Sequence, residues 1–223
     1  MNVPNGGHFL PCPHPSIMSH DLWDDSHLSE TSTLLKYNVH TPLQSLSLET
    51  VKTLSTATAL PVALMLYNLH GDINIGMSIR TAAILGCSDV YLVGKRKYDR
   101  RSEVGAKHYI PIHRLPSVEP EFFAANKLLP VLVEQGGTAL DDFSFKSYLP
   151  GRMPEGWKVV LIVGSESAGL PKKFMSALAS AGSSGAPIVT ISQYGVMRSL
   201  NVSIAASIVL YEYVRQWRLS RPY

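Results

Sequence analysis

Beyond about residue 42, short unbroken apolar runs take turns with stretches whose apolar positions return every three or four residues. The runs at 62–67, 89–93, 130–133, 159–163 and 187–191 are predicted strands, and the spacings at 77–85, 119–129, 172–179 and 199–217 predict helices. A further helix starts near Ser47, with Ser47 as its cap and Thr50 where a capping-box glutamate would stand. The run Val159-Val160-Leu161-Ile162-Val163 has no polar alternation, as expected of a strand covered on both faces. Strands alternating with helices predict an α/β domain with a mostly parallel sheet flanked by helices. Along the last helix Val202, Ala205, Ala206, Val209, Leu210 and Tyr213 make one apolar stripe. Its alanines allow close approach to the sheet or to a second subunit.

The first 41 residues follow neither rhythm. Five of the eight histidines (His8, His14, His20, His27 and His40) fall there, among Pro4, Pro11, Pro13 and Pro15. Prolines at this density oppose regular structure, so 1–41 reads as a Pro/His-rich extension and 42–223 as the domain. His8, Cys12 and His14 offer soft ligands, but no second ligand pair at zinc-finger spacing follows, and no metal is expected. Gly182-Ser183-Ser184-Gly185 reads as a flexible loop insert.

Composition narrows the class. At 223 residues and 45% hydrophobic, the chain has enough apolar content for a core and is neither wholly disordered nor collagen-like. Two cysteines cannot staple a secreted fold and fit a reducing compartment. No apolar run reaches the roughly 18 residues of a membrane span. The first 35 residues hold no Lys or Arg, unlike a signal peptide or a presequence. An intracellular protein, cytoplasmic rather than organellar, is expected. The net charge of +3 does not by itself announce a nucleic-acid partner. A local patch does more: Lys95, Arg96, Lys97, Arg100, Arg101 and Lys107 face only Asp99 and Glu103 within 95–107, with Tyr98 and Tyr109 offering rings for stacking. The alternative is a solvated charged loop.

Parallel α/β sheets bind ligands beyond the C-terminal ends of their strands. Three such loops carry glycine with polar groups. The first is Gly71-Asp72-Ile73-Asn74-Ile75-Gly76, leading into a helix that holds Arg80. Asn74 is expected at the cap, and Arg80 either holds a phosphate near the helix start or lies on a solvated face. The second is Gly164-Ser165-Glu166-Ser167-Ala168-Gly169, where Glu166 is either a ligand-orienting carboxylate or a solvated one. It lacks the lysine of a P-loop and the third glycine of a dinucleotide fingerprint. It is no hydrolase elbow either, because the last histidine is His113 and none follows Ser167. The third is 191–202, with Gly195, Ser199 as expected N-cap, and Asn201 in the first turn.

Together these segments resemble the SpoU (TrmH) branch of the SPOUT RNA methyltransferases. The family's N-x-G-x-x-x-R-T-A is matched by Asn74, Gly76, Arg80, Thr81 and Ala82, and its G-A-x-x-x-x-P by Gly105, Ala106 and Pro111. The strand followed by G-[NS]-E-x-x-G is matched by Gly164, Ser165, Glu166 and Gly169. The final motif is matched by Ile191, Gly195, Ser199, Leu200, Asn201, Val202, Ser203 and Ala205. Ser192 replaces the usual proline, and Arg198 stands where many bacterial members have Glu. Arg198-Ser199-Leu200-Asn201-Val202 and Val133-Glu134-Gln135 look more like eukaryotic tRNA guanosine-2′-O-methyltransferases.

The resemblance implies a SPOUT fold whose C-terminal segment forms a deep trefoil knot, and an S-adenosylmethionine-dependent ribose 2′-O-methyltransferase that works on RNA as a homodimer. The RNA would be tRNA, at a guanosine, in preference to rRNA. A catalytically silent RNA-binding relative is the alternative. Gly164, Glu166, Ile191, Gly195, Ser199 and Leu200 would bind the methyl donor. Asn74, Arg80, Glu166, Ser199 and Asn201 would face the acceptor ribose, and Arg80, Arg96, Lys97, Arg100 and Arg101 would hold RNA.

Overall fold

The computed structural model describes residues 38–94, 97–148, 154–180 and 185–220. The chain divides after Ser47 into two compact units, and the described part of the first holds one turn of 3-10 helix, Thr41–Leu43. The expectations for the proline- and histidine-rich stretch up to residue 37, for Lys95 and Arg96, and for Gly182-Ser183-Ser184 lie outside the described residues.

In the second unit, Leu60–Tyr67 (β1), Cys87–Val93 (β2), Ile112–Leu115 (β3), Leu128–Ala139 (β4), Lys158–Val163 (β5) and Ile188–Thr190 (β6) form one sheet in the order β3-β2-β1-β5-β4-β6. Every pairing is parallel, with Leu64 opposite both Val90 and Leu161. The helices are Leu48–Ala57 (α1), Asp72–Ile84 (α2), Glu121–Ala125 (α3), Phe145–Tyr148 (α4), Lys172–Ser180 (α5) and Val202–Leu219 (α6).

Alternate strand residues feed two cores. Val62, Leu64 and Leu66 of β1, with Val159, Leu161 and Val163 of β5, meet Ile75 and Ile79 of α2 and Ala206, Val209, Leu210 and Tyr213 of α6. Ala63 and Met65, with Val160 and Ile162, meet Phe123 of α3 and Phe174 and Leu178 of α5 on the other face. Both faces of β1 and β5 are thereby dry, which is why their sequences lack polar alternation. Each fully buried leucine here contributes about 1.5–3 kcal/mol. The Tyr213 hydroxyl, carried into this core, donates to the Pro61 carbonyl at 3.1 Å. Asp89, buried in β2, is satisfied by His113 at 2.8 Å and by Lys158. Burial raises its pKa, and these hydrogen bonds outweigh burial, so the carboxyl stays below its ordinary range.

Several elements differ from their expected bounds. The predicted helix at 119–129 is only the five-residue α3, because Lys127 turns into the left-handed region (φ 55°) and the chain enters β4 at Leu128. β4 runs on to Ala139, through a bulge between Val133 and Thr138. Pro130 is tolerated inside it because β6 pairs only from Leu132 onward, leaving the missing N–H without a partner to fail. β3 and α4 were not predicted. α2 begins at Asp72 with Gly71 as N-cap, so Asn74 lies in the first turn and not at the cap. α6 begins at Val202 with Asn201 as N-cap, so Ser199 lies outside the helix.

Candidate active site

Three loops leave β1, β5 and β6 at the C-terminal edge of the sheet. β5 ends at Val163, and the next residues fold back so tightly that Ser165 and Gly169 exchange two backbone hydrogen bonds, of 3.1 and 2.9 Å. Gly164 lies against this return: a β-carbon there would stand 2.2 Å from the Gly169 carbonyl carbon and 2.4 Å from the Leu170 nitrogen. The turn presents Glu166 to the loop after β1. Its carboxylate accepts from the backbone N–H of His70 and of Gly71, both at 3.2 Å, and from the Asn74 amide at 2.8 Å. These donors cluster at the start of α2, where the helix dipole favours negative charge. Gly71 leaves the room, since a β-carbon would fall 2.8 Å from a Glu166 oxygen.

Asn74 extends the chain of bonds. With its amide nitrogen given to Glu166, its oxygen accepts from the Asn201 side chain at 3.0 Å. Asn201 then has its own oxygen left for α6, where it accepts from the backbone N–H of Ser203 (2.9 Å) and Ile204 (3.3 Å) and from the Ser203 hydroxyl. Glu166, Asn74 and Asn201 thus tie three strand-end loops together, each amide held in one orientation by its partners. Burial tends to raise the Glu166 pKa, but Asn74 and the backbone donors lower it further, so the group titrates below its ordinary value and is a fixed anion at neutral pH. Asn201→Ala removes the cap and the link to Asn74. Chemical denaturation is expected to read a loss of about 1 kcal/mol, and an unchanged midpoint would deny Asn201 this role.

Arg80 lies exposed on α2, one and a half turns beyond Asn74, with no ion pair among the described residues. Ser199 is exposed, two residues before the cap. Ile191 is half-buried, Gly195 faces open space, and Tyr194, Val196 and Met197 stand out almost wholly exposed. Leu200 is 41% exposed. Residues 192–200 make no backbone–backbone hydrogen bond among the described residues.

Two residues that the sequence reading left without a site role organise this edge. In the β4 bulge, Glu134 accepts from the Leu170 N–H at 3.0 Å and Gln135 donates to the Arg198 carbonyl at 2.9 Å. One bulge therefore holds both the β5 and the β6 loops. A glutamate and a glutamine directly after a buried apolar run were the available signal. The basic loop is less uniform than its sequence. Lys97 and Arg100 are exposed, whereas Arg101 grips Asp99 through a fork at 2.5–3.0 Å that holds the Asp99 carboxyl down to about 2. Glu103 is buried, accepting from the Tyr98 hydroxyl, with Lys107 at 3.6 Å.

Residues 61–211 match the SpoU rRNA methylase family model. An uncharacterised tRNA/rRNA methyltransferase of Mycobacterium ulcerans is 30% identical over 173 residues, 74% of this chain and 50% of that protein. A Synechocystis protein described in the same words is 30% identical over 77% of this chain and 42% of its own length. The chain spans about half the length of the curated relatives it matches. Among solved structures, the SpoU methyltransferase AviRb from Streptomyces viridochromogenes, in complex with AdoMet, is 28% identical with a TM-score of 0.57, over 74% of this chain and 60% of that one. The A. aeolicus TrmH/SpoU tRNA modifying enzyme shares the fold at 21% identity and a TM-score of 0.61, over 78% of this chain and 86% of that one. With its three motif loops converging on one sheet edge and its family model spanning most of the domain, this chain belongs to the SpoU rRNA methylase family.

Proposed function

We propose that this protein transfers a methyl group from S-adenosylmethionine to a ribose 2′-hydroxyl of RNA, at a guanosine of a tRNA. The observation that carries the reading is the Glu166–Asn74–Asn201 chain, which fixes three loops around one edge. The relatives named tRNA/rRNA methyltransferases support the RNA substrate, and the likeness of the Arg198–Val202 string to eukaryotic tRNA guanosine enzymes supports the finer choice.

The residues present fit the donor. Among the described residues no other backbone claims the N–H and carbonyl groups of 192–200, and Gly195 leaves open space beside them, which suits recognition of an adenosine and its amino-acid tail. Gly164, Ile191, Gly195 and Leu200 would hold it chiefly through backbone, with Ser199 and Glu166 at its polar rim. When bound, the donor supplies a sulfonium-activated methyl group. The protein's remaining task is to align the 2′-oxygen, which is chiefly positioning. Glu166 is held below its ordinary pKa, stays ionised and orients Asn74. A guanidinium holds its proton too firmly to serve as a base cheaply, so Arg80 is given another task. In this reading it grips the adjoining phosphate and stabilises the developing alkoxide, while the proton leaves through phosphate or water.

The reading includes a homodimer and the knot. Ile73 and Met77 of α2 are exposed, as are Ile204, Ile208 and Tyr211 of α6, and the two helices touch where Ser207 donates to Thr81 at 3.1 Å. A second copy is the natural cover for this apolar face. Ile208→Glu is expected to halve the mass seen by sedimentation at micromolar protein; a monomeric wild type would remove the dimer from the reading. The knot is supported by the return of α6 from the β6 edge to α2 and Pro61.

The test is incubation with total small RNA and methyl-labelled donor, followed by nuclease digestion. Labelled 2′-O-methylguanosine in tRNA is expected. RNA binding without any label would leave a silent relative, and label in rRNA alone would move the substrate.

A further inference from the structure

We propose that the groove between α1 and the β3 edge is a second RNA site, one that holds the phosphate and base of a nucleotide outside the methylated one. This rests on the RNA reading above and deepens it. The groove has a volume of about 430 Å³ and is lined by Lys52 of α1, by Arg100, Lys107 and His108, and by Arg114 of β3. These four permanent cations are scattered from residue 52 to residue 114, and only folding brings them together. Among the described residues no carboxylate lines the groove. Of the acids beside its lining residues, Glu103 is buried and engaged by the Tyr98 hydroxyl and Lys107, and Asp99 is engaged by Arg101.

Two tyrosine rings also line it. Tyr98 is anchored through its hydroxyl, with the Arg114 guanidinium 5.3 Å from its ring centroid. Tyr109 meets the His108 ring edge-on at 6.4 Å. Cations beside fixed aromatic rings match a phosphodiester with an unpaired base, since phosphate takes the charge and the base stacks. An acidic peptide would use the charges and leave the rings idle.

The groove is also joined to the reacting helix. The turn Arg100–Glu103 lies directly on α2 at Gly76, where a β-carbon would collide with the Ser102 hydroxyl. Arg100, which lines the groove, therefore stands on the turn that packs against the helix carrying Arg80. Of the basic run, Arg100 and Lys107 line the groove together with Lys52 and Arg114, while Arg101 stays with Asp99.

The test is binding of an end-labelled, mixed-sequence single-stranded RNA by the full chain, without donor, over a range of salt. Lys52→Gln with Arg114→Gln is expected to weaken binding about tenfold and to reduce the slope of log affinity against log salt by about 1.4. Lys173→Gln, an exposed cation on α5, should change neither. Equal losses from Lys173→Gln, or no loss from the double variant, would overturn the site. So would competition by polyglutamate as effective as by RNA, or by inorganic phosphate as effective as by a guanosine nucleotide. Both groove residues are exposed, and an unchanged thermal midpoint excludes misfolding. Methyl transfer is scored separately: loss of RNA affinity in the variant beside an inactive wild type would keep the groove and remove the enzyme reading.

Discussion

Gly164→Ala is expected to cost about 3 kcal/mol and to release the turn that presents Glu166. The added methyl group would stand 2.2 Å from the Gly169 carbonyl carbon, 2.4 Å from the Leu170 nitrogen and 2.5 Å from the Gly169 oxygen. All three are backbone atoms, so no rotamer change relieves them. Either β5 shifts, against Val163 and its neighbours in a dry core, or the Ser165–Gly169 pair opens. Opening it also frees Leu170, which is buried and whose N–H is held by Glu134. Overpacking costs about 1–3 kcal/mol in ordinary cores, and a collision with unyielding backbone belongs at the upper end. For a domain of this size, that predicts a fall in thermal midpoint of about 6–12 °C. Gly195→Ala is the contrast, because nothing lies within 4 Å of its added carbon. Its stability should change by no more than about 0.5 kcal/mol. Calorimetry on the two variants checks both, and a Gly164→Ala protein as stable as wild type would show that the β5 turn is loose.

The physical reason for that collision was hidden from the sequence, although the glycine was not. β1, β5 and the buried stripe of α6 are legible because burial on fixed faces imposes a period on residue type, and Val202, Ala206, Val209, Leu210 and Tyr213 are indeed inside. β3 was illegible. Ile112-His113-Arg114-Leu115 is an edge strand whose middle residues face solvent, so its pattern is that of a loop. The start of α2 was read late because Asp72 and Asn74 look like loop residues, whereas the first turn of a helix accepts both. In β4, Glu134-Gln135-Gly136-Gly137 looks like a turn; the strand survives as a bulge because Gly137 passes so close to the Ile188 carbonyl that a β-carbon would stand 2.3 Å from it. At the site, Asn74, Glu166 and Asn201 were each legible as polar residues at strand ends. Their mutual bonds join positions 92 and 127 residues apart and exist only in the fold. The pairing of charges is local in one place and long-range in another: Arg101 is matched by its own neighbour Asp99, whereas Lys52, far outside the basic run, lines one groove with Arg100, Lys107 and Arg114.

Arg80→Ala is expected to lower kcat by about 10²–10³ while leaving the fold and donor affinity intact. The expected size is that of a removed donor to developing charge in a preorganised site. Stability should hold within about 0.5 kcal/mol, because Arg80 is exposed and no ion pair or hydrogen bond among the described residues depends on it. That separation is what makes the variant informative, since Asn74 and Asn201 cannot be removed without disturbing the loops they tie together. Arg80→Lys sharpens the question. Lysine keeps the charge and loses the planar fork that grips a phosphate at two points. If Arg80 positions phosphate and alkoxide together, the lysine variant should stay at least tenfold below wild type. Acidity gives a second handle. Glu166 is held below its ordinary pKa, so the stabilisation it provides is complete above the ordinary carboxylate range and is lost only as pH falls through its depressed value. Between pH 6 and 9 its charge is constant, so under the proposed 2′-O-transfer a change of rate with pH there does not come from Glu166. Arg80→Lys with wild-type turnover across that range would remove the guanidinium from the mechanism, whatever the fate of the proton.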